Sequence, residues 1–123
     1  MKKVVIKKQN KILFNDVKYC DDFLSNLKGL MFSRKLTSNQ GLILVAAKQS
    51  KLYSAIHMFF VFFSIYAIFL DNNYKIVDIK KAIPFAPLII PSVPAKYVLE
   101  TITKKDLKIG DKIAIETYLK NTK

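Results

Sequence analysis

A chain of 123 residues that is 51% hydrophobic is long enough to bury a core of its own and too apolar to be intrinsically disordered. Its formal charge of +12 sets 21 basic residues against nine acidic ones, yet Arg34 is the only arginine. Arginine is the side chain that reads guanine edges in a fork, so this charge argues against sequence-specific nucleic-acid readout and leaves sequence-independent lysine attachment open.

In chain order, Val4-Val5-Ile6 between two lysine pairs reads as a short strand. Three apolar residues are too few for the h-region of about 7–15 that a secretory signal needs. Cys20 is the sole cysteine, which excludes an internal disulfide or a thiolate metal cage. A cytoplasmic location, no metal and no cofactor are therefore expected. Gln9-Asn10 is a turn signal, and a second strand follows over Lys11–Tyr19. Asp21 and Asp22 stand where an N-cap belongs. Phe23, Leu24, Leu27, Leu30 and Met31 then form the stripe of one short amphipathic helix near residues 21–29, with Gly29 as its end. Arg34–Gln40 is polar and loop-like, and Gly41 opens a strand through Leu42–Ala46.

From Leu52 to Leu70 nineteen residues carry no charge, the length of a membrane-spanning helix. Three features oppose that reading. The run is built from aromatic and β-branched residues, which fit a packed, pleated surface. His57 and Ser64 divide it into Ala55–Phe63 and Ile65–Leu70, each near a strand length. Lysines flank both sides and set no orientation. Two strands, or one bent strand, buried on both faces are expected, and no transmembrane segment. Asp71-Asn72-Asn73 is a turn. Lys75–Lys81 alternates, with Val77 and Ile79 expected inward and Asp78 and Lys80 outward. All four prolines (Pro84, Pro87, Pro91, Pro94) fall within eleven residues, which bars Ile83–Pro94 from a central strand. Its Phe85, Leu88, Ile89, Ile90 and Val93 fit either a rim over a hydrophobic groove or a strap closing one barrel end. Tyr97–Thr101, the Gly110-Asp111 turn and Lys112–Tyr118 complete the series. The expected fold is mainly β: a compact antiparallel sandwich or barrel-like single domain over residues 1–123 with one short helix.

Several segments occur together in a specific order: Lys28-Gly29-Leu30-Met31-Phe32 with Arg34, Gly41-Leu42, His57-Met58-Phe59 leading into Phe69-Leu70-Asp71, Pro94-Ala95-Lys96-Tyr97-Val98-Leu99-Glu100, and Gly110-Asp111. By these residues the chain resembles the domain of unknown function 192 family, also called uncharacterised protein family 0127, from about Phe14 to about Ile115. The resemblance implies a compact, mostly β domain with one helix and implies no activity. Two departures stand out. Ser64-Ile65-Tyr66 replaces a Pro-(Leu/Ile)-Asp signature, so an acidic position is lost, and Thr101–Lys105 is shorter than the usual Gly-containing segment after Glu100.

The candidate ligand-binding residues are Arg34, His57, Tyr97 and Glu100; none is assigned a catalytic or metal-ligating role. His57 is the only histidine and lacks the neighbouring carboxylate and nucleophile of a catalytic constellation. It has no His/Cys cluster with metal spacing either. Arg34 offers a fork for a carboxylate or phosphate. On the strand 97–101, Tyr97 and Leu99 face one side while Val98 and Glu100 face the other. An inward Glu100 paired with Arg34 is expected. Three function classes follow. The favoured one is a non-enzymatic module binding an unknown small ligand or protein partner. The others are lysine-mediated attachment to nucleic acid or an anionic membrane surface, and an enzyme of unknown reaction. With one histidine and no nucleophile elbow, phosphate loop or acid dyad, the enzyme reading has few actors.

Overall fold

The computed structural model describes residues 2–117. Seven strands and one helix appear in the order β1 (Lys2–Lys8), β2 (Lys11–Cys20), α1 (Phe23–Lys28), β3 (Gln40–Ser50), β4 (Ile65–Leu70), β5 (Ile76–Ala82), β6 (Ala95–Thr101) and β7 (Ala114–Thr117). They form one sheet in the order β5-β4-β6-β3-β2-β1-β7. Neighbours are antiparallel except β2 and β3, which run parallel. That parallel pair follows from the connection between them: a crossover through α1 returns the chain to the end where β2 began. Gln9 and Asn10 join β1 to β2 with φ of 52° and 67°, the left-handed pair that a tight hairpin requires.

The sheet curls until the start of β5 meets the segment leading into β7. Lys75 bridges Lys112, and Ile76 N–H donates to Asp111 O at 2.8 Å while Gly110 N–H donates to Ile76 O at 2.8 Å. Ile113 N–H donates to Tyr74 O at 3.1 Å. This seam makes the architecture barrel-like and pairs the backbone at the start of β5 with the segment just before β7. Inside the curl, Val4, Ile6, Phe14, Val17, Ile43, Ile68, Leu70, Ile76, Leu99, Leu107 and Ile113 form one buried cluster.

A second buried cluster lies on the opposite face of β4, β6 and β3. It combines Leu42, Leu44, Ile65, Ala67, Phe69 and Val98 from the strands with Leu30, Ile56, Met58, Val61 and Phe63 from the loops above them. The central strands are therefore apolar at successive residues because both faces are covered. Burial of β4 at five of its six positions accounts for the last third of the uncharged run.

The rest of the run is not a strand. Ala55–Phe63 is an ordered loop, and this corrects the expectation of two strands or one bent one. Its backbone groups find other loops rather than a sheet neighbour. Ile56 exchanges both backbone bonds with Ile89, Met58 N–H donates to Ala86 O, and Phe32 N–H donates to Phe60 O. Hydrophobicity here serves the second cluster, and periodicity does not distinguish a buried loop from a buried strand. Two further differences emerge. Leu24 and Leu27 of the expected α1 stripe are not buried: Leu24 is 72% exposed and Leu27 is also exposed, whereas Leu30, beyond the helix, is buried. The helix ends at Gly29 as expected, with φ of 48°. On β5, Val77 and Ile79 pack against different clusters, and Asp78 is buried rather than outward. Asp78 accepts from Ser92 N–H at 2.7 Å and Ile79 N–H at 2.9 Å, which ties the proline-rich strap to β5. The expected end of the last strand at Tyr118 lies outside the described residues.

Candidate functional site

Between α1, the loop 52–57 and the outer face of β3 and β6 lies a cavity of about 440 Å³. Its walls are apolar, with Leu30, Leu44, Ile56 and Val98 from the second cluster and the exposed Leu27, Leu52 and Tyr53 along the rim. The helix is fixed over it from both ends. Asp22 caps the N-terminus by accepting from Ser25 N–H at 2.7 Å. Asn26 reaches down to β3, its Nδ2 donating to Val45 O at 2.7 Å.

Glu100 is the chemically distinctive group of this cavity. Strand alternation turns it to the same face as Val98, and it is 3% exposed. Burial pushes its carboxyl up to about 8, with no other cause acting on it. Among the described residues no hydrogen bond or ion pair satisfies this carboxyl, and its oxygens are not sealed from the cavity it lines. At neutral pH it is therefore mostly a neutral acid, able to donate as well as accept.

His57 also lines the cavity, but its nitrogens are occupied. Nε2–H donates to Leu27 O at 2.8 Å, and Nδ1 accepts from Phe59 N–H at 3.1 Å. A carbonyl only accepts and a backbone N–H only donates, so the two bonds select the Nε2–H tautomer. The ring thereby staples the C-terminal end of α1 to the aromatic loop.

The remaining candidates lie elsewhere. Arg34 is exposed and lines a separate open groove of about 830 Å³, together with Lys28, Phe32 and Lys35. Glu100 does not line that groove, and no ion pair joins the two among the described residues. The expected Arg34–Glu100 pair is thus not formed, because the chain between helix and β3 carries Arg34 outward. Tyr97 faces the inner cluster, on the opposite side of the sheet from Glu100. Its ring stands 5.0 Å from that of Tyr74, and desolvation, with the Tyr74 hydrogen bond second, pushes its hydroxyl up to about 12. Tyr66, at the lost acidic position, also packs on the inner cluster. The proline-rich strap contributes nothing to the Glu100 cavity. Asn26 and Tyr53 belong to that cavity without any advance signal, since neither sits in a chemically suggestive motif.

Cys20 is buried, and burial, reinforced by the Glu100 and Asp22 charges, pushes its thiol up to about 11, far from a reactive thiolate. Among the described residues no group of three or more His, Cys, Asp or Glu side chains could hold a metal ion. No helix among them is long and apolar enough to cross a membrane.

Comparison with known proteins places this geometry on a recurrent scaffold. Residues 4–115 match the profile of DUF192, described as "Uncharacterized ACR". A UPF0127 protein of Thermococcus sibiricus is 34% identical over 114 residues, covering 89% of this chain and 72% of its own. Another from Pyrococcus horikoshii is 32% identical over 102 residues, covering 80% of this chain and 85% of its own. The crystal structure of a protein of unknown function from Novosphingobium aromaticivorans superposes with a TM-score of 0.77 at 20% identity, covering 91% of this chain and 83% of that one.

Proposed function

The chain belongs to the DUF192 family, and we propose that it is a cytoplasmic, non-enzymatic binding module whose site is the cavity beside Glu100. The observation that carries this reading is a carboxyl that is 3% exposed, has no hydrogen-bond partner among the described residues, and opens into an apolar cavity. Burial disfavours its charged form. A cationic donor in the cavity supplies the partner that the carboxylate needs. The apolar walls select a hydrocarbon body, and the carboxyl selects a hydrogen-bond donor at its end. A protonated amine fits best, since Asp21 and Asp22 outweigh Lys28 in the cavity's lining, in a protein that is otherwise strongly basic. The occupied nitrogens of His57 and the protonated Cys20 thiol support binding without turnover.

Amine binding would return Glu100 to its carboxylate and release a proton. Affinity should therefore rise with pH up to about 8, where the unliganded carboxyl ionises by itself. Titration calorimetry with short-chain alkylamines, in buffers of different protonation enthalpy, tests this. The expected result is saturable binding with proton release at neutral pH, lost in Glu100→Gln. Silence with amines, apolar acids, sugars and short peptides at millimolar concentration would exclude the cavity as a ligand site.

A further inference from the structure

A second surface, outside the Glu100 cavity, is built from phenylalanines that the core does not use. Phe32 and Phe60 stack at 4.9 Å, Phe60 meets Phe85 edge-on at 5.8 Å, and Phe85 meets Phe62 at 5.2 Å. The four rings come from three different loops, and all are exposed, Phe32 at 67% and Phe62 at 61%. Backbone bonds lock the loops together: Phe32 N–H donates to Phe60 O at 2.8 Å and Phe85 N–H to Met58 O at 2.9 Å. The outward aim is imposed by the backbone. Phe32, Phe60 and Phe85 have φ of 58°, 58° and 65°, a left-handed conformation that a bulky side chain adopts only against strain. Glycine would hold these turns at less cost, so the rings themselves are what the positions supply.

Charge in the segments that carry these rings has a single sign, and the one carboxylate lining the groove that Phe32 shares, Asp16, is paired with Lys3 at 2.7 Å. No Asp or Glu occurs from Phe23 to Leu70 or from Ile79 to Leu99, the two stretches that contribute all four rings. Lys28, Arg34 and Lys35 line the groove that Phe32 shares, and Lys80 and Lys81 lead into the strap that carries Phe85. A second copy of the chain would bring the same positive border against itself. An anionic lipid surface brings the opposite charge and an apolar layer just beneath it.

We propose that the Phe32–Phe60–Phe62–Phe85 cluster docks the protein on anionic membranes, the rings entering the headgroup–acyl boundary and the flanking cations holding the headgroups. Nothing in this mode requires a spanning helix; the strand-and-loop scaffold remains outside the hydrocarbon and presents only loop tips.

Co-sedimentation with phosphatidylcholine vesicles, with and without phosphatidylglycerol, tests the proposal. The protein is expected to pellet with the anionic vesicles only, and less as salt rises. Joint replacement Phe32→Ser, Phe60→Ser, Phe62→Ser, Phe85→Ser should lower partitioning about tenfold or more with an unchanged far-ultraviolet circular dichroism spectrum. If that variant does not fold, Phe62→Ser alone serves, because its exposed ring lies outside the left-handed turns. Reversal of charge at Arg34, Lys35, Lys80 and Lys81 should weaken binding at low salt. The chain has no tryptophan, so Phe62→Trp introduces a single reporter whose emission should shift to the blue on anionic vesicles. Protein that stays in the supernatant with anionic vesicles at low salt overturns the proposal. So does serine-variant binding equal to wild type, which would assign attachment to dispersed lysines. An unshifted indole emission, or self-association through the same rings that vesicles do not disperse, overturns it as well.

Discussion

At the scale of single residues, Glu100 carries the largest energetic consequence. Burial alone raises its carboxyl from an ordinary 4.5 to about 8, so the folded protein retains a proton that the unfolded chain releases above about pH 4.5. Its favourable contribution to folding is complete below that pH and is lost as pH rises towards 8. Glu100→Gln is therefore expected to match wild type near pH 5 and exceed it by about 2 kcal/mol or more near pH 9, read by denaturant melts at both pH values. Asp16 and Asp111 act in the opposite sense. Their hydrogen bonds to Lys3 and Lys8 hold them below 3.8, so their contribution is present above that pH and fades in acid. They are common to both proteins and cancel in the comparison. Gly41 is a second sensitive position. A Cβ there would stand 3.0 Å from Thr101 Cγ2 and 3.1 Å from the Glu100 carbonyl oxygen. Gly41→Ala should cost about 1–3 kcal/mol by overpacking, measured as a lower denaturation midpoint at unchanged m-value.

At the scale of elements, α1 is tied to the sheet by a polar contact at Asn26. Six residues are too few for a helix to persist alone, and two leucines of its expected stripe point to solvent. Asn26 supplies the attachment, its Nδ2 donating to Val45 O and its Oδ1 accepting from Val45 N–H. Asn26→Ala should release the helix from β3 and cost about 1–2 kcal/mol, with faster amide exchange at Val45 and Gly29 than at the centre of β6. The segment Ala55–Phe63 shows the same principle in reverse. Its composition is that of a strand, yet its partners are the strap and the loop after α1. Ile56, Met58, Val61 and Phe63 turn inward as a second lid of core, and the rings between them remain outside.

At the scale of the whole molecule, closure between β5 and β7 determines whether the inner cluster is sealed. Leu107 is fully buried just ahead of the Gly110-Asp111 turn, and that turn makes the backbone bonds to Ile76. Leu107→Ala should cost about 2–5 kcal/mol and expose the seam first, seen as selective loss of exchange protection at Ile76, Gly110 and Ile113. Lys8 reinforces the seam, bonding Asp111 Oδ2 at 2.9 Å. Much of this architecture was legible from local pattern. Val4 and Ile6, the Gln9-Asn10 turn, the Asp22 cap, the Asp71–Asn73 turn and the alternation of Tyr97 to Glu100 depend on neighbours close in the chain, and short-range sterics and hydrogen bonding specify them. Apolar composition was equally informative about burial on both sheet faces, though not about Ala55–Phe63 being a loop. What sequence alone did not contain is which residues meet. Tyr97 and Glu100 lie on opposite faces as alternation requires, but Arg34 and Glu100 are parted by a crossover whose path depends on the parallel β2–β3 pairing. The four phenylalanines converge from three loops, Phe85 lying 53 positions after Phe32. Such encounters are decided by strand register and ring closure, whose energy is spread over the whole sheet and is encoded in no single stretch of chain.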